Sequence, residues 1–462
     1  MDDAKRGRRL PRNFDPRVKL AWSVAVSLVA VVLRHPAWLA LLLAVAVAPW
    51  WMVRRPAIRP RWLLVVIGTT VIGGMVSQGL FYGAARTEWL RLLPGLSLCR
   101  EGIVHGAVVS LRVLAALAAG GLVVFTTESS ELVSAFRALR VPASLAMTLT
   151  LALRLLPEVA SHGKRMLAEE SPRDKGLLSA AKRFKRLLVP LLAISLHRAK
   201  CEALEAERQD AEPSGNSRRL SFTAIDWTAM AALTLMAATA LGLSLLGYDA
   251  PLVGDPADSS WAYPAAVAGL LAVLAIALRF SPQSVRFRPF SLAELATAAA
   301  LICMLRIAVL PWQIGLAKLP GLNALIFAIP YTVIFLIGLR LVPRPGFAVL
   351  LIVGQGLFGQ LVGSGVNPAW WPYYLSCAFG AEGVFFLTGY RMQSLPALLA
   401  VGVTRGLIAG SYTFLIAAPY IWHKYYAPWY ITLVIAMDAL GCAVGAIMAW
   451  RVAPRIEKLA NG

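Results

Sequence analysis

The feature that most constrains this chain is a succession of long, nearly uncharged apolar runs joined by short basic connections. Runs near the ~20 residues needed to cross a bilayer recur at Val18–Leu33, Ala37–Val53, Trp62–Ala84, Gly102–Phe125, Trp227–Tyr248 and Ala262–Arg279. They continue at Leu292–Leu310, Leu322–Leu339, Phe347–Val362, Trp370–Thr388, Leu395–Ala418 and Trp429–Ala449. A soluble core has no place for about twelve such segments, so the expectation is an all-α, polytopic membrane protein with about twelve transmembrane helices. Composition agrees: 58% of residues are hydrophobic and 15% charged, against ~25% charged in an ordinary soluble domain.

Charge sets the expected orientation. Lys and Arg number 45 against 24 Asp and Glu, a net +21. In a soluble protein that surplus suggests nucleic acid, but here the cations sort by loop. With Met1 cytoplasmic, Arg54, Arg55, Arg59, Arg61, Arg279, Arg286, Arg288, Arg340, Arg344, Arg391, Arg451, Arg455 and Lys458 fall on one side. The opposite side receives Asp249, Asp255 and Asp258 with single lysines at Lys318 and Lys424. Outside Ser130–Arg219, roughly twenty cations lie inside and roughly six outside, which predicts both termini in the cytoplasm. Met1 to Lys19 is polar and basic and reads as a cytoplasmic end, not a secretory signal.

Ser130–Arg219 breaks the pattern. It is rich in cations and holds only the partial apolar runs Pro142–Leu156 and Leu187–Leu196. If Pro142–Leu156 crossed alone, every later loop would change sides, so both runs are expected as amphipathic helices at the interface or buried against other helices. Arg154 and Pro157 close the first and Pro190 interrupts the second. Thr126, Thr127, Ser129 and Ser130, with Glu128 and Glu131, supply helix-start chemistry ahead of them. A solvated cytoplasmic loop is the plain alternative.

Catalytic signatures are missing. The chain has no phosphate-binding G-x-x-x-x-G-K-[S/T] and no H-E-x-x-H, and its five histidines are far apart. Its five cysteines form no CxxC pair. Gly363-Ser364-Gly365 lacks the G-x-S-x-G frame of a nucleophile elbow and reads as a turn. A transporter or receptor-like membrane protein remains, with no enzyme activity of its own.

Three passages then carry a resemblance: Asp15-Pro16-Arg17-Val18-Lys19-Leu20; Arg100-Glu101-Gly102 with Leu111-Arg112, Phe125-Thr126-Thr127 and Leu139-Arg140-Val141-Pro142; and Leu153-Arg154-Leu155-Leu156-Pro157-Glu158 with His197-Arg198-Ala199-Lys200 and Ala203-Leu204-Glu205-Ala206. In this order over Asp15–Tyr248 they resemble the T component of energy-coupling-factor (ECF) importers. The resemblance implies cytoplasmic coupling helices between the fourth and fifth spans, docked on two ABC ATPase subunits that bind ATP. It implies no cofactor on this chain. The family's Ala-Arg-Gly ends are altered here, to Ser171-Pro172-Arg173-Asp174-Lys175-Gly176 and Ala206-Glu207-Arg208-Gln209. Arg173 and Arg208, with Arg154 and Arg198, are the corresponding ATPase-coupling candidates, against the plain reading of solvated arginines.

The second half resembles an S component, the solute-binding partner in the same system. Ala296 and Ala300, in Ala296-Thr297-Ala298-Ala299-Ala300, form a small-residue face expected to pack on the T half. Pro343-Arg344-Pro345-Gly346, Gly380-Ala381-Glu382-Gly383-Val384-Phe385 and Tyr390-Arg391 resemble S components for thiamin or hydroxymethylpyrimidine. The expected division is residues 1–279, T-like with coupling helices at about 130–219, and residues 280–462, a six-helix S-like unit. A bacterial or archaeal cell membrane is the implied location, with a vitamin or vitamin precursor and lipid as partners and no nucleic acid.

A carboxylate inside a span is expensive, which makes Glu382 the first substrate-binding candidate, or one side of a salt bridge to Arg405 or Arg306. Asp438 is the second. Trp370, Trp371, Tyr374 and Trp422 lie where a flat ring would enter, or form the aromatic belt common to membrane proteins. Gln355 could read a ligand's polar edge or join helices. Two other readings stay open: a nickel or cobalt importer of the same architecture, which expects an N-terminal histidine that Met1-Asp2-Asp3-Ala4 lacks, and a non-transporting scaffold or sensor.

Overall fold

The computed structural model describes residues 14–52, 60–82, 87–93, 96–127, 131, 135, 138–139, 141–169, 194–199, 201, 224–246, 248, 289–316, 320–364 and 367–461. The chain is predominantly helical. Its N-terminal part comprises α1 (Pro16–Val32), α2 (Pro36–Val47, extended by a 3-10 turn Ala48–Met52), α3 (Pro60–Phe81), α4 (Arg100–Thr126), α5 (Ala143–Glu169) and α6 (Ala224–Leu245). The C-terminal part comprises α7 (Leu292–Leu316), α8 (Pro320–Leu341), α9 (Phe347–Gly359), α10 (Trp371–Leu387), α11 (Leu395–Ser411) and α12 (Pro428–Asn461).

Local chemistry sets several helix starts. Asp15 accepts a hydrogen bond from Arg17 N at 2.9 Å ahead of Pro16, and Ser394 accepts one from Ala397 N at 3.4 Å ahead of Pro396. Ser291 and Glu294 form a reciprocal capping box on α7, with Ser291 N donating to Glu294 Oε2 at 2.8 Å and Glu294 N donating to Ser291 Oγ at 3.3 Å.

Five helical segments among the described residues are long and apolar enough to cross a membrane: Arg100–Val123, Asp226–Leu245, Ala324–Leu341, Leu395–Ile421 and Pro428–Glu457. Shorter apolar helices cover Pro36–Trp51, Ile67–Phe81, Ala143–Pro157 and Phe347–Val362. Of the expected runs, Ala262–Arg279 lies outside the described residues.

Two expectations need correction. The all-α class gains a two-stranded antiparallel hairpin, β1 (Glu88–Leu93) and β2 (Leu96–Cys99), between α3 and α4. Its strands are too short to register as apolar runs, so a search at span length passes over them. Secondly, Pro157 does not end a helix, because α5 continues through it to Glu169.

Close helix crossings are made by glycines four apart. A Cβ on Gly106 would sit 2.7 Å from Met75 Cα, so Gly102 and Gly106 let α4 lie directly on α3. A Cβ on Gly441 would come 2.6 Å from Leu325 O and one on Gly445 2.8 Å from Ile329 O, which brings α12 onto α8 in the same way. The two parts of the chain also share a core. Leu149, Ala152 and Leu155 of α5 are buried in one cluster with Ala296, Ala300 and Leu301 of α7, and Cys303 Sγ donates to Ala152 O at 3.0 Å. Ala296 and Ala300 are both fully buried there, against the helix that follows α4.

Candidate functional site

At one end of the bundle the two parts are joined through the segment after α11, where residues Tyr412–Ile421 continue as a π-helix. His423 Nε2 lies 3.2 Å from Val31 O, and the His423 carbonyl meets the His105 ring. Phe81 stacks on Tyr430 at 4.1 Å and 16°. Arg112, midway along α4, donates through Nε and Nη2 to Leu33 O at 3.2 and 2.9 Å, and through Nη1 to Trp422 O at 3.3 Å.

Beneath this junction lies a cavity of about 710 Å³ between the two parts. Ser27 and Val31 of α1 and Val109, Arg112 and Val113 of α4 wall one side. Arg306 of α7, Phe327 and Tyr331 of α8, Gln355 of α9, Tyr373, Tyr374 and Cys377 of α10, and Arg405 of α11 wall the other. Asn367, Trp370, Trp422 and Lys424 complete the rim. The volume falls within the ~300–1,000 Å³ of ordinary small-molecule sites.

The wall is ordered by packing. A Cβ on Gly356 would lie 2.6 Å from the Tyr374 ring, so the glycine makes the space in which that ring rests. Gln360 Nε2 donates to Asn367 O at 3.1 Å while Asn367 N donates to Gln360 Oε1 at 3.2 Å, clamping the approach to α10. Residues Gln360–Ser364 form a π-helical turn, a departure from α geometry that recurs at functional positions. Trp370 lies 4.5 Å from Trp422 and 5.4 Å from Tyr373, ring centre to ring centre.

The charges are unusual for a membrane interior. Arg405 is 4% exposed, with its guanidinium carbon 3.9 Å from the Tyr331 ring centre, Nη1 3.8 Å from Cys442 Sγ, and Nε without a hydrogen-bond partner. Lys424 Nζ lies 5.6 Å from the Trp422 ring centre. Among the described residues no carboxylate reaches ion-pair distance of Arg306 or Arg405, and no Asp or Glu lines the cavity.

Of the residues singled out from sequence, Trp370, Tyr374, Trp422 and Gln355 come together in this cavity. Glu382 does not line it, and among the described residues it makes no ion pair with Arg405 or Arg306. It lies at the opposite end of the C-terminal bundle, where its Oε1 accepts from Gly346 N at 2.7 Å and its Oε2 from Ala348 N at 3.2 Å. Gly346 has φ 83°, a left-handed backbone that suits glycine, and the carboxylate satisfies the amides that α9 leaves open at its start.

Asp438 faces α11 near Gly410, whose Cβ would sit 3.5 Å from Asp438 Oδ2, and does not line the cavity. Trp371 points away and is 46% exposed. Sequence reading did not single out Arg112, Arg306, Arg405 or Tyr331 as site residues, while Tyr373 belongs to the aromatic group it divides between pocket and belt. The signal was present, since an arginine in the middle of an apolar run is as anomalous as a carboxylate there.

Arg154 on α5 and Arg198 in the short helical stretch 194–199 are exposed. Arg173 and Arg208 lie outside the described residues.

Residues 7–205 match the family model described as CbiQ, cobalt transport protein. The chain is similar to the energy-coupling factor transporter transmembrane protein EcfT of Acidaminococcus fermentans, 27% identical over 231 residues, covering 45% of this chain and 83% of the relative. The EcfT of Thermanaerovibrio acidaminovorans is 27% identical over 248 residues, covering 50% of this chain and 82% of the relative. That of Staphylococcus aureus is 26% identical over 183 residues, 36% of this chain and 65% of the relative. No solved structure matches the chain significantly.

The family match therefore spans α1 to α5 and supplies the α1 and α4 wall of the cavity, while the wall with Arg306 and Arg405 lies beyond it. Among the described residues no group of three or more His, Cys, Asp or Glu could hold a metal ion.

Proposed function

We propose that the chain is the membrane subunit of an ATP-driven importer in which an EcfT-like half and a solute-binding half are fused. The observation that carries this reading is the cavity itself: an EcfT-like wall, α1 and α4, faces a wall of polar and aromatic side chains from α7 to α11. The same EcfT-like half extends through α5, which packs on α7 and so touches the element that bears Arg306. A movement of α5 would pass to the cavity wall through this buried contact without crossing a loop. In this reading two separate ABC ATPases grip the cytoplasmic segment around residues 130–219 through basic side chains including Arg154 and Arg198. Fusion fixes the ratio of the two halves and keeps them at high effective concentration.

The solute is a vitamin-sized compound carrying a flat ring, consistent with the Trp370, Tyr374 and Trp422 walls. Of the solutes suggested by sequence, thiamin suits the cavity least, because its cationic ring would meet Arg306 and Arg405. Glu382, engaged at the start of α9, is not placed to accept a pyrimidine amino group.

Purification of the tagged full chain from its native membrane tests the reading. ABC ATPase subunits are expected to co-purify, and the complex is expected to hydrolyse ATP in liposomes. Arg154→Glu with Arg198→Glu should lower that hydrolysis or release the ATPases. Recovery of the chain without any ATPase would favour the scaffold reading.

A further inference from the structure

We propose that the cavity between the two halves takes a flat-ringed organic anion, a carboxylate or phosphate ester, with its charge on Arg306 and Arg405 and its ring among Tyr331, Trp370 and Trp422. This rests on the importer reading and specifies the chemical class of its solute.

The argument begins with cost. An arginine at mid-span is expensive, and a chain keeps one where it pairs with something or lines a water-filled passage. Arg306 and Arg405 stand near the middle of α7 and of the α11 segment, and both line the cavity. Arg112 spends its donors on the carbonyls of Leu33 and Trp422, and Lys424 lies against Trp422. Arg306 has no such use: among the described residues it makes no hydrogen bond or ion pair. Arg405 is held on the Tyr331 face but keeps its Nε unpartnered. Asp438 is the carboxylate whose field reaches Arg405, yet it stays beyond ion-pair distance and outside the cavity lining.

The cavity is therefore lined by cations without a lining carboxylate, an arrangement that attracts anions and repels cations. Guanidinium is suited to carboxylate and phosphate because its planar fork can donate two parallel hydrogen bonds.

The rings decide between anions. Trp370 and Trp422, both in the cavity lining, cross at 54° with ring centres 4.5 Å apart and do not lie face to face. Aromatic faces beside guanidinium groups favour a planar solute bearing its charge at one edge. A lipid headgroup shares the phosphate chemistry but offers no ring, and the test separates the two.

The full chain, reconstituted in nanodiscs of zwitterionic lipid, is titrated with nicotinate, nicotinamide and 1-methylnicotinamide, probes of nearly one outline carrying negative, zero and positive charge. Binding is read by calorimetry and by tryptophan fluorescence. Nicotinate should bind roughly ten- to hundred-fold more tightly than nicotinamide, the range expected for a hydrogen bond to a buried charge, and 1-methylnicotinamide more weakly still. Arg306→Gln should weaken the preference, Arg405 holding the remainder, and Arg306→Lys should keep more of it.

Equal affinities, a preference for the cation, no nicotinate binding at millimolar concentration, or an undiminished preference in folded Arg306→Gln would each overturn the proposal. If Arg306→Gln does not fold, the charge order in the unmodified chain decides alone. Repetition in discs containing phosphatidylglycerol should leave nicotinate binding in place; its loss there would assign the arginines to a lipid headgroup and overturn the ring-bearing solute. None of these measurements needs ATP or ATPase subunits, so a negative result leaves the importer reading standing, and failure of ATPase co-purification leaves this result standing.

Discussion

The two ends of the C-terminal bundle treat charge in opposite ways. Around the start of α9 the carboxylates of Glu294, Glu457 and Glu382 each have a partner. Glu294 meets Arg344 Nη1 at 2.6 Å, Glu457 meets Arg340 Nη2 at 3.1 Å, and Glu382 takes the Gly346 and Ala348 amides. Arg344, outside the spans, is pushed above the usual arginine range chiefly by its hydrogen bond to Glu294. In the cavity, among the described residues, Arg306 and Arg405 have no carboxylate at ion-pair distance. Charges already paired hold helices in place; charges left open are available to a solute. The contrast teaches that an ionisable group in a span is a functional pointer only after its partner has been found.

The largest expected break in that contrast is at Arg405. Replacement by methionine, similar in length and apolar, should lower nicotinate affinity about a hundred-fold by removing a buried charged donor. Stability should stay level or rise, since replacing a buried charge with well-packed apolar atoms is often neutral or stabilising by ~1–4 kcal/mol. Thermal melting of the purified chain, run beside the nicotinate titration, checks both. A large fall in melting temperature with binding retained would make Arg405 a structural residue and erase the difference between the two ends.

Much of this was legible in the sequence, for identifiable reasons. Span-length runs follow directly from hydropathy, and the aromatic cluster at Trp370, Tyr374 and Trp422 is concentrated enough to see before folding. Sequence marks Glu382 as an intramembrane carboxylate, but it does not show that Gly346 and Ala348 aim their amides at it. In sequence Arg306 and Arg405 stand out only as its possible partners. Their convergence depends on α7 and α11 facing one space that the EcfT-like α1 and α4 complete, a relation between segments far apart in the chain. The glycine crossings at Gly106 and Gly441 were readable as four-residue spacings, but which helix each approaches was not.

A smaller effect is expected at the closed end. Glu382→Ala should destabilise the chain by about 1–3 kcal/mol, because the Gly346 and Ala348 amides lose their acceptor. Glu382→Gln keeps one acceptor oxygen and should recover much of the loss. Nicotinate affinity should be unchanged in both, as measured by calorimetry on samples that remain monodisperse. A loss of binding without a loss of melting temperature would return Glu382 to the solute site.

The smallest effect belongs to Glu294, whose carboxylate serves twice. It completes the capping box with Ser291 and pairs with Arg344, which is also 5.8 Å from the Phe290 ring centre. The Arg344 side chain is 31% exposed, so solvent screens the pair and it contributes only ~0–1 kcal/mol. Loss of one capping partner adds roughly 0.5–1 kcal/mol. Glu294→Ala should therefore lower the melting temperature slightly, and added salt should narrow the gap to the unmodified chain because the ion-pair part is screened. Glu294→Gln, which retains an acceptor for Ser291 N but not the charge, separates the two contributions. Were Glu294→Gln as stable as the unmodified chain at low salt, the cap alone would account for the residue, and pairing with Arg344 would be a consequence of the fold.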